Sequence, residues 1–485
     1  MFENLIVAAR DRKRLAEITA VLGRFGLDSL IARLGRGGDE APGTPERARL
    51  AIEALGPTFI KLGQILATRS DLLSPDWIVE LEKLHSTAPT LPFEELRPAV
   101  EAALGDAPEA VFAEFEAEPV AAASIAQVHR ARLADGRNVA VKIRRPGIRP
   151  LMEADLRLIA AMARTIEAKP SIARLRPREI VAQLSEAVLA ELDFTQEGRN
   201  ADRFRANFAR RPNLIVPDIH WELSSETLLV MDFVEGVPMS DAARLTAAGI
   251  DPAAIAALGA EVVLQMVLID GFFHGDPHPG NLLGQPGDRI ALLDFGMVGH
   301  VSPKRREELL GFVQSITGRD PDRLADLLGN WTEHVDRAAV EAAAARLVER
   351  HGQGRLILAR VVEDIMALLR QHALAMPADL VLTFKALITL DGVLGRIDPD
   401  FDLTAATRRA WLMAMRARLS PGAVRDRMSS LMLELATVED NLPRLIRAAT
   451  TRLTDPTPPP PRPDRTLPVA VLAGAAMIAG AILLS

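Results

Sequence analysis

Two aspartates and an asparagine stand in fixed order in the middle of the chain. Asp276 lies within His274-Gly275-Asp276-Pro277-His278-Pro279-Gly280-Asn281, and Asp294 closes Ile290-Ala291-Leu292-Leu293-Asp294 ahead of Phe295-Gly296. Asp276 to Asn281 is five residues, and Asn281 to Asp294 is thirteen. Two prolines and two glycines make the first motif a rigid loop. Phosphoryl transfer uses such a set: a carboxylate beside the acceptor, and an asparagine with a second aspartate to hold Mg²⁺ on the phosphates. The same loop also allows a transition-metal reading through His274, Asp276 and His278.

Those groups need a cation on the phosphates, and a strand upstream offers one. Residues 128–133 and 138–143 read as short strands joined by the turn Ala134-Asp135-Gly136-Arg137, and Val139-Ala140-Val141-Lys142 ends in a lysine. It resembles the kinase strand whose lysine meets the α- and β-phosphates and pairs with a helix glutamate. Residues 228–233 predict a further strand, and Met231-Asp232-Phe233-Val234 stands where a hinge would meet adenine, through the backbone of Asp232 and Val234. A glycine-rich phosphate loop is missing; Ala121, Ala122, Ala123 and Ser124 occupy its place. Alanine reaches positive φ only at a cost, so the phosphates would be held differently.

The remaining pattern is largely helical. The first 27 residues read as an amphipathic helix with no secretory core, packed on its own domain or, as the second reading, lying on a membrane surface. Residues 46–70 predict two helices broken at Gly56 and Pro57, the second with an apolar stripe (Phe59, Leu62, Ile65, Leu66) and a polar stripe (Lys61, Gln64, Thr68). A helix is expected over about 177–200, which puts Asp193 and Glu197 on one face. From Ala253 on, helices dominate.

Composition narrows the chemistry. The 485 residues carry no cysteine and no tyrosine, which removes disulfides, thiolate zinc sites and tyrosine acid–base chemistry. A net charge of -7 argues against nucleic acid as a partner. Residues 467–484 carry no charge, and as a helix would span about 27 Å, close to a hydrocarbon core of about 30 Å. A proline-rich spacer precedes them, and Arg444, Arg447, Arg452, Arg462 and Arg465 lie on the N-terminal side of the uncharged run, which predicts a single span with the main body in the cytoplasm. Ala476 and Gly480 are spaced for helix pairing, which admits a homodimer.

Together these pieces resemble the UbiB-type atypical kinase family, whose bacterial and mitochondrial members support ubiquinone biosynthesis. The resemblance covers roughly residues 45–300 closely and rests on Lys61-Leu62-Gly63-Gln64, Ala121 to Ser124 followed by Ile125-Ala126-Gln127-Val128-His129, Glu191-Leu192-Asp193, and the loop from His274 to Asn281. In that family the helix bearing the first motif folds over the active site where a protein substrate would lie. The resemblance implies ATP and Mg²⁺ as cofactors, Lys142 paired with Glu197, Lys61 reaching Glu191 or Asp193, Asp276 as the catalytic-loop aspartate, and Asn281 and Asp294 as Mg²⁺ ligands. It implies membrane lipids, isoprenoid quinone precursors and other ubiquinone-biosynthesis enzymes as partners at the bacterial inner membrane. The family's bacterial pattern ends in two hydrophobic helices; this chain has one such segment.

The expected fold is α+β, protein-kinase-like and bilobal, with a small mixed β lobe, a large helical lobe, a helical N-terminal extension and one C-terminal transmembrane helix. The expected units are the extension at 1–105, the N-lobe at 106–236, the helical C-lobe at 237–440, a basic proline-rich linker at 441–466 and the span at 467–485. Two rival functions share the motifs: a small-molecule phosphotransferase of the aminoglycoside- or choline-kinase type, and a nucleotide-switched lipid-binding scaffold without turnover.

Overall fold

Apolar residues at helical spacing bury one face of helix α1 (Arg12–Arg24) through Leu15, Ile18 and Leu22. Helix α2 (Thr44–Leu55) stops at Gly56, whose φ of 96° suits glycine, and α3 (Pro57–Ala67) starts on the next residue, where proline's missing N–H is harmless. A short α4 (Pro75–Leu81) buries Trp77 and Leu81. The computed structural model describes residues 11–26, 43–67, 73–84, 89–167, 177–331, 337–352, 358–371 and 378–399, with positions 401, 406 and 409.

Helix α5 (Phe93–Leu104) and the single turn α6 (Pro108–Val111) lead into strands β1 (Glu114–Ala122), β2 (Ala126–Arg132) and β3 (Asn138–Arg144). These strands and a later one, Leu228–Asp232, form an antiparallel sheet. Period-two alternation sends Val139, Val141 and Ile143 to one face, where Phe93, Leu96 and Val100 of α5 cover them.

Helices α7 (Ile148–Glu167), α8 (Pro177–Ala190) and α9 (Phe194–Asn207) follow. The sequence reading put one helix over 177–200; the chain instead turns at Glu191–Asp193. Asp193 caps α9, its carboxylate accepting from Thr195 N at 3.0 Å and Thr195 Oγ1 at 2.7 Å. A short carboxylate that satisfies the free N–H groups of a new helix favours a break over continuation. Asp193 and Glu197 therefore do not share a face of one continuous helix.

The fully buried Asp155 of α7 clamps the N-terminal helices to the body. It accepts from Arg14 Nε at 2.6 Å and Nη2 at 3.1 Å, and from Thr58 Oγ1 at 2.6 Å. The amphipathic N-terminal helix thus packs on its own domain over its described part.

Strands β4 (Leu214–Ile215), β5 (Leu228–Asp232) and β6 (Val237–Pro238) come next, then α10 (Ala242–Ala247) and α11 (Pro252–Gln265). Helix α11 runs into a π-helical turn, Met266–Asp270, and the combined segment is the one described helix long and apolar enough to cross a membrane. Its window is 61% buried, with Ile255, Val262 and Val263 inside the main core, so here it is a core helix. The expected span at 467–485 and its linker lie outside the described residues.

Four short strands then carry the motif loops: β7 (Phe272–His274), β8 (Leu282–Gln285), β9 (Arg289–Leu292) and β10 (Val298–His300). Strand β10 pairs with β7, and β8 with β9 and β6. Helices α12 (Pro303–Thr317), α13 (Pro321–Trp331), α14 (Arg337–His351), α15 (Leu358–Gln371) and α16 (Ala378–Ile397) complete the helical lobe.

Gly63 lets α3 lie close to the segment after α4: an added Cβ would run into Leu84 Cδ1 and come within 3.4 Å of Ile52 Cγ2. Gly63→Ala should destabilise the fold by about 1–3 kcal/mol through overpacking. Thermal unfolding checks this, and in a double-mutant cycle with Leu84→Ala the two costs should be markedly sub-additive.

Burial at the end of the π-helical turn pushes the Asp270 carboxyl from its ordinary 3.8 up to about 6, against the pull of Gln265 and nearby arginines. The folded state then keeps a proton that the unfolded chain has released. Stability from this group should be full below about pH 4 and lost as the pH rises through about 6. Chemical denaturation of Asp270→Asn across that range should show a flatter profile than the parent chain.

Candidate functional site

Strand β3 projects Lys142 inward, and α9 meets it with Glu197. Nζ lies 2.8 Å from Oε1 and 2.7 Å from Oε2, with Glu197 buried and Lys142 largely so. Burial alone would lower the lysine's pKa; Asp294, Glu197 and Glu191 outweigh that and hold it above its ordinary value. Asp294 shows the reverse: Lys142 chiefly, with the Gly296 N–H, His274 and Lys61, holds its carboxyl well below the usual range against the opposing pull of desolvation.

Lys61 arrives from α3. Its Nζ lies 2.6 Å from Glu191 Oε2, at the turn between α8 and α9. Burial pulls its pKa down, and Glu191 with Asp294 more than reverse this. Of the two acidic partners expected for Lys61, Glu191 is the one it meets; Asp193 is occupied as the helix cap. Gln64 Nε2 donates to Leu84 O at 2.9 Å, which ties α3 to the segment after α4.

The motif loops are stitched together by backbone groups. Gly275 N donates to Met297 O at 2.8 Å, and Leu293 N to Asn281 O at 2.9 Å. His274 Nε2 faces Leu293 O at 3.2 Å, and its Nδ1 accepts from Asp276 N at 3.2 Å. His278 Nδ1 accepts from Gly280 N at 3.0 Å. Both ring nitrogens of His274 are thus turned to the loop backbone, which removes it from the transition-metal reading. No group of three or more His, Cys, Asp or Glu is placed to hold a metal among the described residues.

Asn281 Nδ2 reaches Asp276 O at 3.3 Å, joining candidate base and candidate ligand in one loop. Asp294 adopts φ 52°, a left-handed conformation that aspartate tolerates better than most residues. Its Oδ1 accepts from Gly296 N at 3.0 Å, and a Cβ at Gly296 would sit 3.2 Å from that oxygen. Asn200 Nδ2 donates to Phe295 O at 2.9 Å, tying α9 to the Asp294 segment; sequence reasoning did not single it out.

The residues proposed to meet nucleotide line the small lobe. Ala121 and Ala122 end β1, opposite Val128 and Gln127, and the turn closes through Ala123 N on Ala126 O at 2.8 Å. Arg145 Nε holds Ala123 O at 3.0 Å. Ser124 is buried, and its hydroxyl has no hydrogen-bond partner among the described residues. At the hinge position Asp232 gives its carboxylate to His220 Nε2 at 2.9 Å and its N–H to Asp218 O at 2.9 Å. That leaves its carbonyl, rather than its side chain, for a ligand. Val234 follows, half-buried, outside the strand.

Two ammonium groups, Lys61 and Lys142, thus face three carboxylates, Glu191, Glu197 and Asp294. The cluster therefore carries an excess of negative charge. Mg²⁺ typically takes one or two protein oxygens plus substrate phosphates and waters. Asn281 and Asp294 fit that demand, whereas a free-standing metal site would need more ligands. A cavity of about 540 Å³ adjoins this cluster, lined by Ile65, Glu191, Asp193, Gln196, Glu197 and Gly296 among others.

One residue that the sequence reading missed also enters the site. Lys385 of α16 places Nζ 3.7 Å from Asp276 Oδ1. No local motif surrounds it.

Comparison with known proteins gives a consistent picture. A family model described as the ABC1 atypical kinase-like domain matches residues 83–328, and one described as the UbiB helical domain matches residues 354–402. A Xylella fastidiosa protein named "Probable protein kinase UbiB" is 35% identical over 413 residues, covering 82% of this chain and 75% of its own. A Xanthomonas campestris protein of the same name is 36% identical over 420 residues, with 83% and 75% covered. Among solved structures, that of the Rv3197–erythromycin complex from Mycobacterium tuberculosis matches with a TM-score of 0.54 at 24% identity, over 81% of this chain and 98% of that one, a likeness of fold.

Removing one partner of a buried ion pair leaves the other uncompensated, at a cost of about 3–5 kcal/mol. Lys142→Met should therefore lower stability by that order, and Lys142→Met/Glu197→Leu should recover much of it. Neither variant should bind nucleotide, so paired denaturation and nucleotide-binding titrations separate the pair's structural role from its functional one.

Proposed function

The chain belongs to the UbiB family of ABC1 atypical kinase-like proteins, and from that premise we propose that it is a membrane-associated, ATP-binding and Mg²⁺-dependent kinase or ATPase. In this reading it supports ubiquinone biosynthesis by acting on or with lipid precursors. The observation that carries the reading is the ion pair of the half-buried Lys61 with Glu191 within the field of Asp294. In this reading the helix bearing Lys61, which lies outside the kinase-like domain, would take up the side of the cleft where a peptide would need to lie. That favours a small or lipid acceptor over a protein, and it argues against the soluble small-molecule phosphotransferases, which lack this helix.

Each residue's part follows from its chemistry. Lys142, fixed by Glu197, would neutralise the α- and β-phosphates. Asn281 and Asp294 would hold Mg²⁺, which when bound screens charge on the phosphate oxygens. Asp276 would orient the acceptor hydroxyl or water and take its proton. The turn at Ala123 and the Ser124 hydroxyl would close over the phosphates, and the backbone at Asp232 and Val234 would meet the adenine. The uncharged run at 467–484 would anchor the chain, its upstream arginines keeping the body on the cytoplasmic side. Quinone precursors and other enzymes of the same route are the partners this placement suits, and Ala476 and Gly480 suit pairing of two copies.

The test is ATP hydrolysis by the purified full chain with Mg²⁺, with and without liposomes. Turnover should rise with liposomes, and Asp276→Asn should lower it by about 10²–10⁴-fold, as expected for loss of a general base. Asp294→Asn should abolish it with the fold intact by circular dichroism. Unchanged turnover in Asp294→Asn would sink the Mg²⁺ assignment, and nucleotide binding without turnover under any condition would point to a scaffold.

A further inference from the structure

Phosphoryl transfer spreads negative charge over the three equatorial oxygens of the moving group, and sites that accelerate it supply a cation there. The loop from His274 to Asn281 contains no lysine or arginine. Of the lysines in the cluster, Lys142 is committed to Glu197 and Lys61 to Glu191, at 2.7 and 2.6 Å. The catalytic aspartate itself faces a third lysine, Lys385, from the C-terminal helical region.

We propose that Lys385 is the cation of the transfer site, supplied in cis by α16: it faces Asp276 in the nucleotide-free chain and the terminal phosphoryl group when nucleotide is bound. The inference rests on the nucleotide-binding reading above and deepens it.

The geometry separates this contact from the others in the site. At 3.7 Å the Lys385–Asp276 pair is an ion pair without a hydrogen bond, and the side chains are 26% and 37% exposed. The ammonium is therefore near the reacting position without being locked there. Its root is well fixed, because Leu380, Val381, Phe384 and Leu387 of the same helix are buried in the main core. A second carboxylate also feels its charge: desolvation pushes the Glu82 carboxyl up, and Lys385 acts against that shift. An anionic phosphoryl group entering beside Asp276 gives this ammonium a better partner than a half-exposed carboxylate.

In the step itself, the bond from the terminal phosphorus to the ADP oxygen breaks and its electron pair leaves with ADP. The bond to the acceptor oxygen forms, and the acceptor's proton passes to Asp276. Lys385 gives up no proton; it acts by charge, as an arginine finger does.

The bland alternative is a surface ion pair, worth about 0–1 kcal/mol and of no consequence for nucleotide. Calorimetric titration of the full chain in detergent with Mg²⁺ and either ADP or adenylyl imidodiphosphate distinguishes the two. Lys385→Met should weaken the triphosphate analogue about tenfold relative to ADP, leave ADP within about twofold, and lower kcat by about 10²-fold. Lys385→Arg should recover most of the triphosphate preference, and both variants should melt within a few degrees of the parent. Unchanged affinities and turnover in Lys385→Met would overturn the inference while leaving the nucleotide reading intact. A rise in turnover would also overturn it, marking Lys385 as an inhibitory contact. A parent chain that binds neither nucleotide overturns the proposed function and this inference together.

Discussion

A lysine ammonium buried between a strand and a helix must be matched by carboxylate, and most of the site's architecture follows from that demand at Lys142. Its partner Glu197 must be presented from a helix packed across β3, so α9 has to start close by. Asp193 provides that start by capping the helix, and the break it makes in the chain also frees Glu191 to turn toward α3. Lys61 can then be buried, because a carboxylate waits for it. Each charge is tolerable only because the next is present, as expected where desolvation is large.

The same electrostatics point to what the site is for. A cluster optimised for stability alone would balance its charges, yet this one keeps more carboxylate than ammonium, with Asp294 held ionised. Asp294 also adopts a left-handed backbone, and strain of that kind persists where the surroundings enforce it. The backbone bonds between the His274 loop and the Asp294 segment provide that enforcement. Rigidity, residual negative charge and a ligand pair too small to hold a metal alone together suit a metal that arrives on a phosphate.

Much of this was legible in the sequence, for identifiable reasons. Asp276, Asn281 and Asp294 could be read because their order and spacing are local, and Lys142 because a hairpin turn and alternating apolar residues place it on a strand. The partner Glu191 was harder. Helical periodicity over 177–200 turns it away from the site, and only the capping preference of Asp193, three residues after a run that propensity alone would continue, reveals the break. Asn200 and Lys385 left no local signal: one makes a single hydrogen bond to a backbone carbonyl, and the other reaches Asp276 from a helix remote in sequence. Contacts of that kind are set by how helices pack, which periodicity within one helix does not encode.

The boundaries of the kinase-like domain carry a further consequence. Two of the three lysines around the candidate site, Lys61 and Lys385, lie outside residues 83–328. One comes from a helix held down by Asp155 and by the close approach at Gly63, the other from a helix buried in the C-terminal core. The kinase-like domain by itself would therefore present Glu191 and Asp276 without the ammonium groups they face. Packing that fixes α3 and α16 against that domain sets the charge of its active site, so the N-terminal extension, kinase-like core and C-terminal helices act as one chemical unit.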